Sequence, residues 1–209
     1  MLARVRIGSW LLCLAALAWL AAGCGSSTKV EAAWTAPNAQ ALAMRNVVTV
    51  CFSDGVIRRA VEDEMARRLA AAGIRATPSY ALLSDQELED QGLARGKLVA
   101  AGFDGVVALR LVSREQEVHY IPPTFDDYWG PGWGWAYDPG YVASDTVVRV
   151  ETSAYSLPSD RLVWSAITRT VDPDSPREGI DQVTTVATRE LQKQGVIAPM
   201  APMSRPAGA

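Results

Sequence analysis

The order of apolar and polar positions between residues 46 and 197 predicts alternating strands and helices. Residues 46–52 are apolar on both faces, which is typical of a buried strand. Apolar side chains then recur every three or four positions over residues 57–69, as on one face of a helix. Arg58, Glu62, Asp63 and Arg67 take the other side of this helix. The pattern therefore predicts an amphipathic helix with these four charged residues on its polar side.

Residues 74–83 predict a second strand, and Pro78 places it at an edge of the sheet because proline cannot donate a ladder hydrogen bond. Ser84 and Glu87 form a capping box, which marks the start of a second helix. Glycines follow at short intervals, so we expect this helix in two pieces that end at Gly102.

The second half of the chain predicts three strands and a well-capped helix. Residues 103–112 form the first of these strands, which runs on through Glu117 as a more exposed ribbon, and residues 146–155 and 161–171 pair as a hairpin. Ser175-Pro176-Arg177-Glu178 combines an N-cap, a proline at the first helical position and a capping box. The order β-α-β-α-β-β-β-α predicts an α/β (α+β) fold in which helices pack on a mixed sheet.

The first 23 residues have the layout of a signal peptide. Two arginines, Arg4 and Arg6, precede an almost wholly apolar run over residues 7–22. This run is shorter than the about 20 apolar residues of a membrane-spanning helix, so we expect its removal. It closes with Leu20-Ala21-Ala22-Gly23-Cys24, which resembles the lipobox of bacterial lipoproteins. The alternative is an ordinary secretory signal that happens to end at a cysteine.

The lipobox resemblance implies cleavage before Cys24 and attachment of a diacylglyceryl group and an amide-linked acyl chain, such as palmitate, to that residue. Two or more acyl chains suffice for stable anchoring to a membrane. Gly25 stands where an Asp would retain such a protein in the inner membrane, so the resemblance implies the outer membrane, facing the periplasm. Residues 24–44 lack strong periodicity and are predicted to form a flexible tether. The domain then covers residues 45–197, with a disordered tail at 198–209.

The charge of the chain excludes one class of partner, and its cysteine content excludes a fold held by disulfides. The whole chain carries a net charge of −3, and loss of two signal-peptide arginines makes the mature chain more acidic. Its basic residues are dispersed, so we expect no nucleic-acid partner. Removal of Cys13 and lipidation of Cys24 leave Cys51 as the one thiol of the domain. The fold is therefore held by its core, without an intrachain disulfide.

Candidate catalytic and metal-binding groups are few. Cys51 and His119 are the only thiol and imidazole that could form a nucleophile and base. A cysteine in an apolar strand is more often a small buried hydrophobe, and we expect no catalytic residues. One histidine gives no zinc cluster. Asp126, Asp127 and Asp138 suit Ca²⁺, but solvated loop carboxylates are the simpler interpretation. We therefore predict no metal and no cofactor apart from the lipid.

The unusual feature of the sequence is an aromatic, Gly- and Pro-rich insert over residues 122–143. Large aromatic side chains are enriched where proteins contact partners or glycan rings. The alternative is that the insert folds back and covers an exposed face of the sheet. The candidate binding residues are Tyr128, Trp129, Trp133, Trp135, Tyr137 and Tyr141.

Two segments carry a resemblance to known envelope proteins. Leu88 to Leu93, continued by Ala101-Gly102-Phe103-Asp104-Gly105-Val106-Val107, and Arg161-Leu162-Val163-Trp164-Ser165 are similar to a group of lipoproteins and periplasmic domains. The group includes the curli-secretion lipoprotein, lipoprotein activators of penicillin-binding proteins and the N-terminal domain of the Tol translocation protein. A set of uncharacterised Gram-negative lipoproteins is more similar still. Phe103 replaces their usual Ala, and the aromatic insert is alien to their pattern.

The leading hypothesis is a non-enzymatic envelope lipoprotein that acts as an adaptor, activator or assembly factor. Its expected partners are the membrane, through the lipid, and an envelope protein or peptidoglycan. A cell-wall or small-molecule enzyme is one alternative. A subunit of a secretion oligomer is another, although one short insert favours a monomer or small oligomer over a membrane-crossing ring.

Overall fold

The computed structural model describes residues 27–53, 55–122, 124–126, 136–138 and 141–198, with backbone alone for 124–126 and 136–138. The predicted α+β class is confirmed, because helices pack against a six-stranded mixed sheet. The strands are β1 (Ser27–Thr35), β2 (Asn46–Cys51), β3 (Arg75–Pro78), β4 (Gly105–Ile121), β5 (Thr124–Asp126), β6 (Ala136–Asp138), β7 (Tyr141–Ser156) and β8 (Arg161–Val171). The helices are α1 (Gly55–Ala71), α2 (Asp85–Glu89), α3 (Gln91–Ala100) and α4 (Pro176–Lys193).

The main sheet has the strand order β1-β8-β7-β4-β2-β3. β2 runs parallel to β3 and β4, and the other neighbours are antiparallel. α1 and α4 bury Met65, Leu69 and Leu191 against one face of the sheet. On the other face of the sheet, Ala94 and Leu98 of α3 pack against the side chains of β2 and β4 that point away from α1 and α4. Two apolar layers thus enclose the parallel strands, which explains why residues 46–52 are apolar on both faces.

The local signals in the sequence act as predicted. β3 forms an edge of the sheet as predicted, but it is shorter than the predicted residues 74–83, because the chain turns into a short 3-10 helix at Ser79–Ala81. Ser84 makes a complete capping box with Glu87, and the helix breaks after Glu89 into α2 and α3. The Ser175 side chain accepts a hydrogen bond from the backbone N–H of Glu178 at the start of α4. Short-range hydrogen-bonding chemistry fixes these boundaries, so they are readable without the tertiary fold.

One predicted boundary is corrected. Residues 27–35, which the sequence analysis assigns to a flexible tether, form β1 and pair antiparallel with β8. β1 is an edge strand whose side chains are mostly exposed, so backbone pairing holds it and no apolar periodicity reports it. Farther along, Met44 forms a bridge with Ile197, which ties the segment before β2 to the end of the domain.

The polar side predicted for α1 is only partly exposed. Asp63 and Arg67 are exposed, whereas Arg58 and Glu62 are buried, Glu62 fully so. Glu62 Oε1 accepts hydrogen bonds from Arg58 Nε (3.0 Å), the Cys51 backbone N–H (3.0 Å) and Ser79 Oγ (2.8 Å). Its Oε2 accepts from the Tyr80 backbone N–H at 3.3 Å. A buried polar network beside the apolar contacts of α1 therefore joins this helix to β2 and the segment after β3.

Gly105 to Ala is expected to destabilise the domain by about 1–3 kcal/mol through overpacking. An added Cβ would lie 1.8 Å from Sδ and 2.8 Å from Cγ of Met44, which is itself 1% exposed and cannot swing into solvent. Gly96 to Ala in α3 is the matched control, because nothing lies within 4 Å of its Cβ position. It should stabilise the helix by about 0.5–1 kcal/mol. Urea unfolding of both variants measures the difference, and an unchanged midpoint for Gly105→Ala would contradict it.

Candidate functional site

β4 and β7 are longer than predicted and project beyond the rest of the sheet. The last residue pair between β7 and β8 is Val147 with Val171, whereas β4 and β7 stay paired as far as Ile121 and Tyr141. Residues 117–121 and 141–145 thus form a two-stranded extension, called here the arm. At about 3.3 Å per residue it is roughly 17 Å long. The aromatic insert joins its two strands.

One face of the arm is apolar and open to solvent. Val118, Tyr120 and Val142 are 67%, 68% and 66% exposed. Tyr120 is paired with Val142, so the two side chains lie on the same face, and Val118 lies two residues along on that face. The alternation of β7 continues this face into Val148 and Val150, which face the helices. Between the two apolar groups the same face carries Gln116, Thr146 and Arg114, so the apolar face of the arm is separate from the apolar residues under the helices.

The opposite face at the base of the arm is charged. Glu117 accepts hydrogen bonds from Arg169 (2.6 Å) and Arg149 (3.0 Å), and Arg149 also donates to Glu31 of β1 at 3.0 Å. These contacts, first with Arg169 and then with Arg149, hold the pKa of the Glu117 carboxyl below its usual value. Farther out, His119 Nε2 lies 3.4 Å from an Asp145 carboxylate oxygen. The cross-strand pairs fix the direction of the arm and leave its apolar face without such partners.

A cavity of about 490 Å³ lies between the sheet and the N-terminal ends of α1 and α4. The loop from Asp172 to Ser175 and the side chain of Arg114 also border it. A pocket of this size is in the range of about 300–1,000 Å³ that holds small molecules. Its aliphatic lining consists of Ile57, Val61, Leu109, Leu111, Val148, Val150, Ile180 and Val183.

Most of the predicted binding residues lie outside the described part of the chain. These are Cys24, Tyr128, Trp129, Trp133 and Trp135. For Tyr137 the backbone pairs with Phe125 between β5 and β6, and nothing of its side chain is described. Tyr141 is exposed and pairs with Ile121 at the outer end of the arm. Of the six candidate binding residues, only Tyr141 therefore has a described side chain, and it lies where the insert joins the outer end of the arm.

The two candidate catalytic residues are far apart. Cys51 is level with Leu109 of β4, and His119 stands ten residues farther along that strand, about 30 Å away. The Cys51 thiol is buried, and burial, followed by the Glu62 carboxylate, raises its pKa to about 11, while Arg58 opposes this. The two side chains cannot meet, and at neutral pH this thiol is almost entirely protonated.

The calcium candidates are only partly placed. Asp126 and Asp138 contribute backbone to β5 and β6, and Asp127 lies outside the described residues. Among the residues whose side chains are described, no group of three metal-ligating side chains comes together. No helix in the described ranges is long and apolar enough to cross a membrane.

The chain matches no protein-family model and no curated protein. Among solved structures it is similar to the PelC dodecamer of Paraburkholderia phytofirmans, at 15% identity and a TM-score of 0.44, over 83% of this chain and 99% of that one. It is also similar to Lipoprotein GNA1162 of Neisseria meningitidis, at 12% identity and a TM-score of 0.39, over 71% of this chain and 99% of that one. The solved structures thus include a lipoprotein, and neither name assigns a function to this chain.

The cavity and the apolar face of the arm are not predicted from the sequence. The predicted ribbon stops at Glu117, although Val118 and Tyr120 alternate with Glu117 and His119 and so continue the strand pattern. The cavity has no such signal, because it arises where α1, α4 and four strands converge from distant parts of the chain.

Proposed function

We propose that the chain is a lipid-anchored envelope protein that binds a partner protein through the arm and the aromatic insert, and that it catalyses no reaction itself. The observation that carries this proposal is the exposed face of Val118, Tyr120 and Val142 on a projecting pair of strands. Side chains of this size and exposure are unfavourable in water, and they lie next to the insert that holds three tryptophans.

The geometry favours a protein partner held at the apolar face of the arm. The charged pairs at the base keep the arm extended, so binding needs little ordering of the backbone, which favours affinity. Tryptophan and tyrosine concentrate binding energy in interfaces of this kind. The lipid on Cys24 would confine the complex to a membrane surface. The separation of Cys51 from His119 supports the non-enzymatic part of the proposal.

Site-specific photo-crosslinking in living cells tests the contact. A benzophenone amino acid replaces Tyr120 on the arm or, as the matched control, Tyr155, which is 42% exposed at the opposite end of the same strand pair. We expect a discrete crosslinked product of one envelope protein from position 120 and none from position 155. Equal products from both positions would contradict a contact confined to the arm.

Replacing Trp129, Trp133 and Trp135 together with alanine is expected to reduce crosslinking from position 120 by at least about tenfold. Each buried side chain of this type contributes about 1.5–3 kcal/mol, and interfaces depend on a few of them. The melting temperature is measured on the same variant. Undiminished crosslinking with a clear loss of stability would show that the insert covers the sheet and is not the contact surface.

The enzyme alternative has its own readout. The purified chain is incubated with peptidoglycan and with generic ester substrates. Turnover that disappears in Cys51→Ala or His119→Ala would refute the non-enzymatic proposal, whatever the crosslinking result.

A further inference from the structure

The cavity has the properties of a binding site that the arm does not use. Its walls are mainly aliphatic, and two of them, Ile57 and Leu111, remain 46% and 56% exposed. A well-packed interior leaves few voids larger than a water molecule, so an open space of about 490 Å³ beside the core is unusual. An apolar occupant would remove these side chains from water.

Three of the polar side chains that line the cavity, those of Thr170, Thr184 and Asp172, are already hydrogen-bonded within the protein. The Thr170 hydroxyl lies 2.7 Å from that of Thr28, and the Thr184 hydroxyl donates to the Ile180 carbonyl at 2.8 Å. One carboxylate oxygen of Asp172 accepts from the Thr146 backbone N–H at 2.6 Å. A peptide entering here would bury backbone groups with few partners, which is unfavourable. A hydrocarbon chain needs no partner, so the lining fits an acyl chain better than a peptide.

The path of the chain brings its lipidation site to this cavity. Ser27 is paired with Val171, and the next residue, Asp172, borders the cavity. Thr28 contacts the lining residue Thr170 and donates to Gln182 of α4 at 2.8 Å. The three residue steps from Ser27 back to Cys24 span at most about 10 Å. Whatever Cys24 carries is therefore tethered close to the cavity.

We propose that the cavity takes up one acyl chain of the lipid carried by Cys24 of the same molecule. The proposal rests on the lipid anchor of the proposed function. Two opposed acyl chains make up a hydrocarbon core of about 30 Å, so one chain reaches about 15 Å, which is enough to enter from Cys24. Attachment through so short a segment gives this chain a millimolar effective concentration at the cavity. The remaining two chains still suffice for stable anchoring.

The test uses the full lipidated protein in its native membrane. Cells are grown on a palmitic-acid analogue with a diazirine near its methyl end, irradiated, and the protein is purified and digested with trypsin. The expected product joins the acylated peptide 24–29 to peptide 178–189, which contains the lining residues Gly179, Ile180, Val183 and Thr184. To distinguish joining within one molecule from joining between two, membranes from isotopically heavy and light cells are fused before irradiation.

Leu111→Arg and Val112→Arg form a matched pair. The residues are neighbours at the register shift of β4 and are 56% and 45% exposed, but only Leu111 lines the cavity. An arginine at 111 places a charge in an apolar site, so the joined product should fall by at least about tenfold. The Val112→Arg product should stay within about twofold of the original. Peptide 178–189 is the same in both variants, so its yields compare directly.

Several results would overturn the inference. Equal yields in the two variants would show that labelling does not report the cavity. Peptide 178–189 carrying a free phospholipid would identify a membrane lipid as the occupant, and heavy–light products would identify a second copy. An acylated peptide 24–29 with no cavity product would refute the inference and leave the anchor intact. An unacylated peptide 24–29 would refute the anchor itself.

Discussion

Replacing Glu62 with alanine is expected to lower the free energy of unfolding by about 3–5 kcal/mol. Removal of one partner from a buried ion pair leaves the other charge poorly compensated, and here Arg58 would keep Ser79 as a neutral acceptor and Asp85, which is exposed, as its charged partner. The backbone N–H groups of Cys51 and Tyr80 would lose their acceptor as well. For a domain of this size each kcal/mol corresponds to about 2–4 °C in melting temperature. Guanidinium unfolding followed by circular dichroism measures the change.

Glu64→Ala is the control for this prediction, on the same helix two residues away. Glu64 is paired with Arg67 and Arg68 near the surface, and pairs of this kind contribute about 0–1 kcal/mol. Glu62→Gln should lie between the two, because the amide oxygen still accepts but the charge is gone. Similar losses for Glu62→Ala and Glu64→Ala would mean that the buried network does not hold α1 in place.

Replacing Cys24 with serine is expected to leave the protein without lipid and with residues 1–23 still attached. Thioether formation on the cysteine precedes cleavage by lipoprotein signal peptidase in the lipoproteins that the lipobox resembles, and a serine hydroxyl does not replace it. Intact-mass spectrometry of the purified protein reads both changes at once. Cys13→Ser is the matched control, since residue 13 lies in the removed segment and the mature mass should be identical to that of the original protein.

The contradicting results for this prediction are specific. A mature species that starts at any residue other than an acylated Cys24 would refute the lipobox interpretation. A Cys24→Ser protein that is still cleaved and secreted without lipid would do the same. Either outcome would support the ordinary secretory signal as the interpretation of the first 23 residues, while the arm and its contact would remain to be tested separately.

Local chemistry explains how far the sequence predicts this fold. Ser84 and Ser175 act through hydrogen bonds with near neighbours, and each marks a helix start that the structure confirms, while Pro78 lacks a donor and marks an edge strand. β1 is not predicted, because an exposed edge strand buries too few side chains to show an apolar pattern. The burial of Glu62 is not predicted either, because a charged residue is expected on the polar side of a helix. Only partners from β2 and from the segment after β3 allow its burial.

The candidate site, like the fold, is predicted from the sequence only in part. The sequence indicates the aromatic insert and the lipidated cysteine because both depend on residue type alone. It does not indicate where they lie relative to each other. That relation depends on the register of Ser27 with Val171, and on β4 and β7 continuing beyond this pair, so the arm and the N-terminal end of β1 lie at the same end of the sheet.

The pairing of β1 with β8 also determines how the domain bears mechanical load. A pull on Cys24 along the strand direction would stress the β1–β8 hydrogen bonds in shear, because these bonds run perpendicular to the strands and share the force. From β8 the load would pass to β7 and so to the arm, without crossing the helices. A protein attached to the membrane at one point and to a partner at another would thus carry the load through three adjacent strands, whose two attachment points lie at the same end of the sheet.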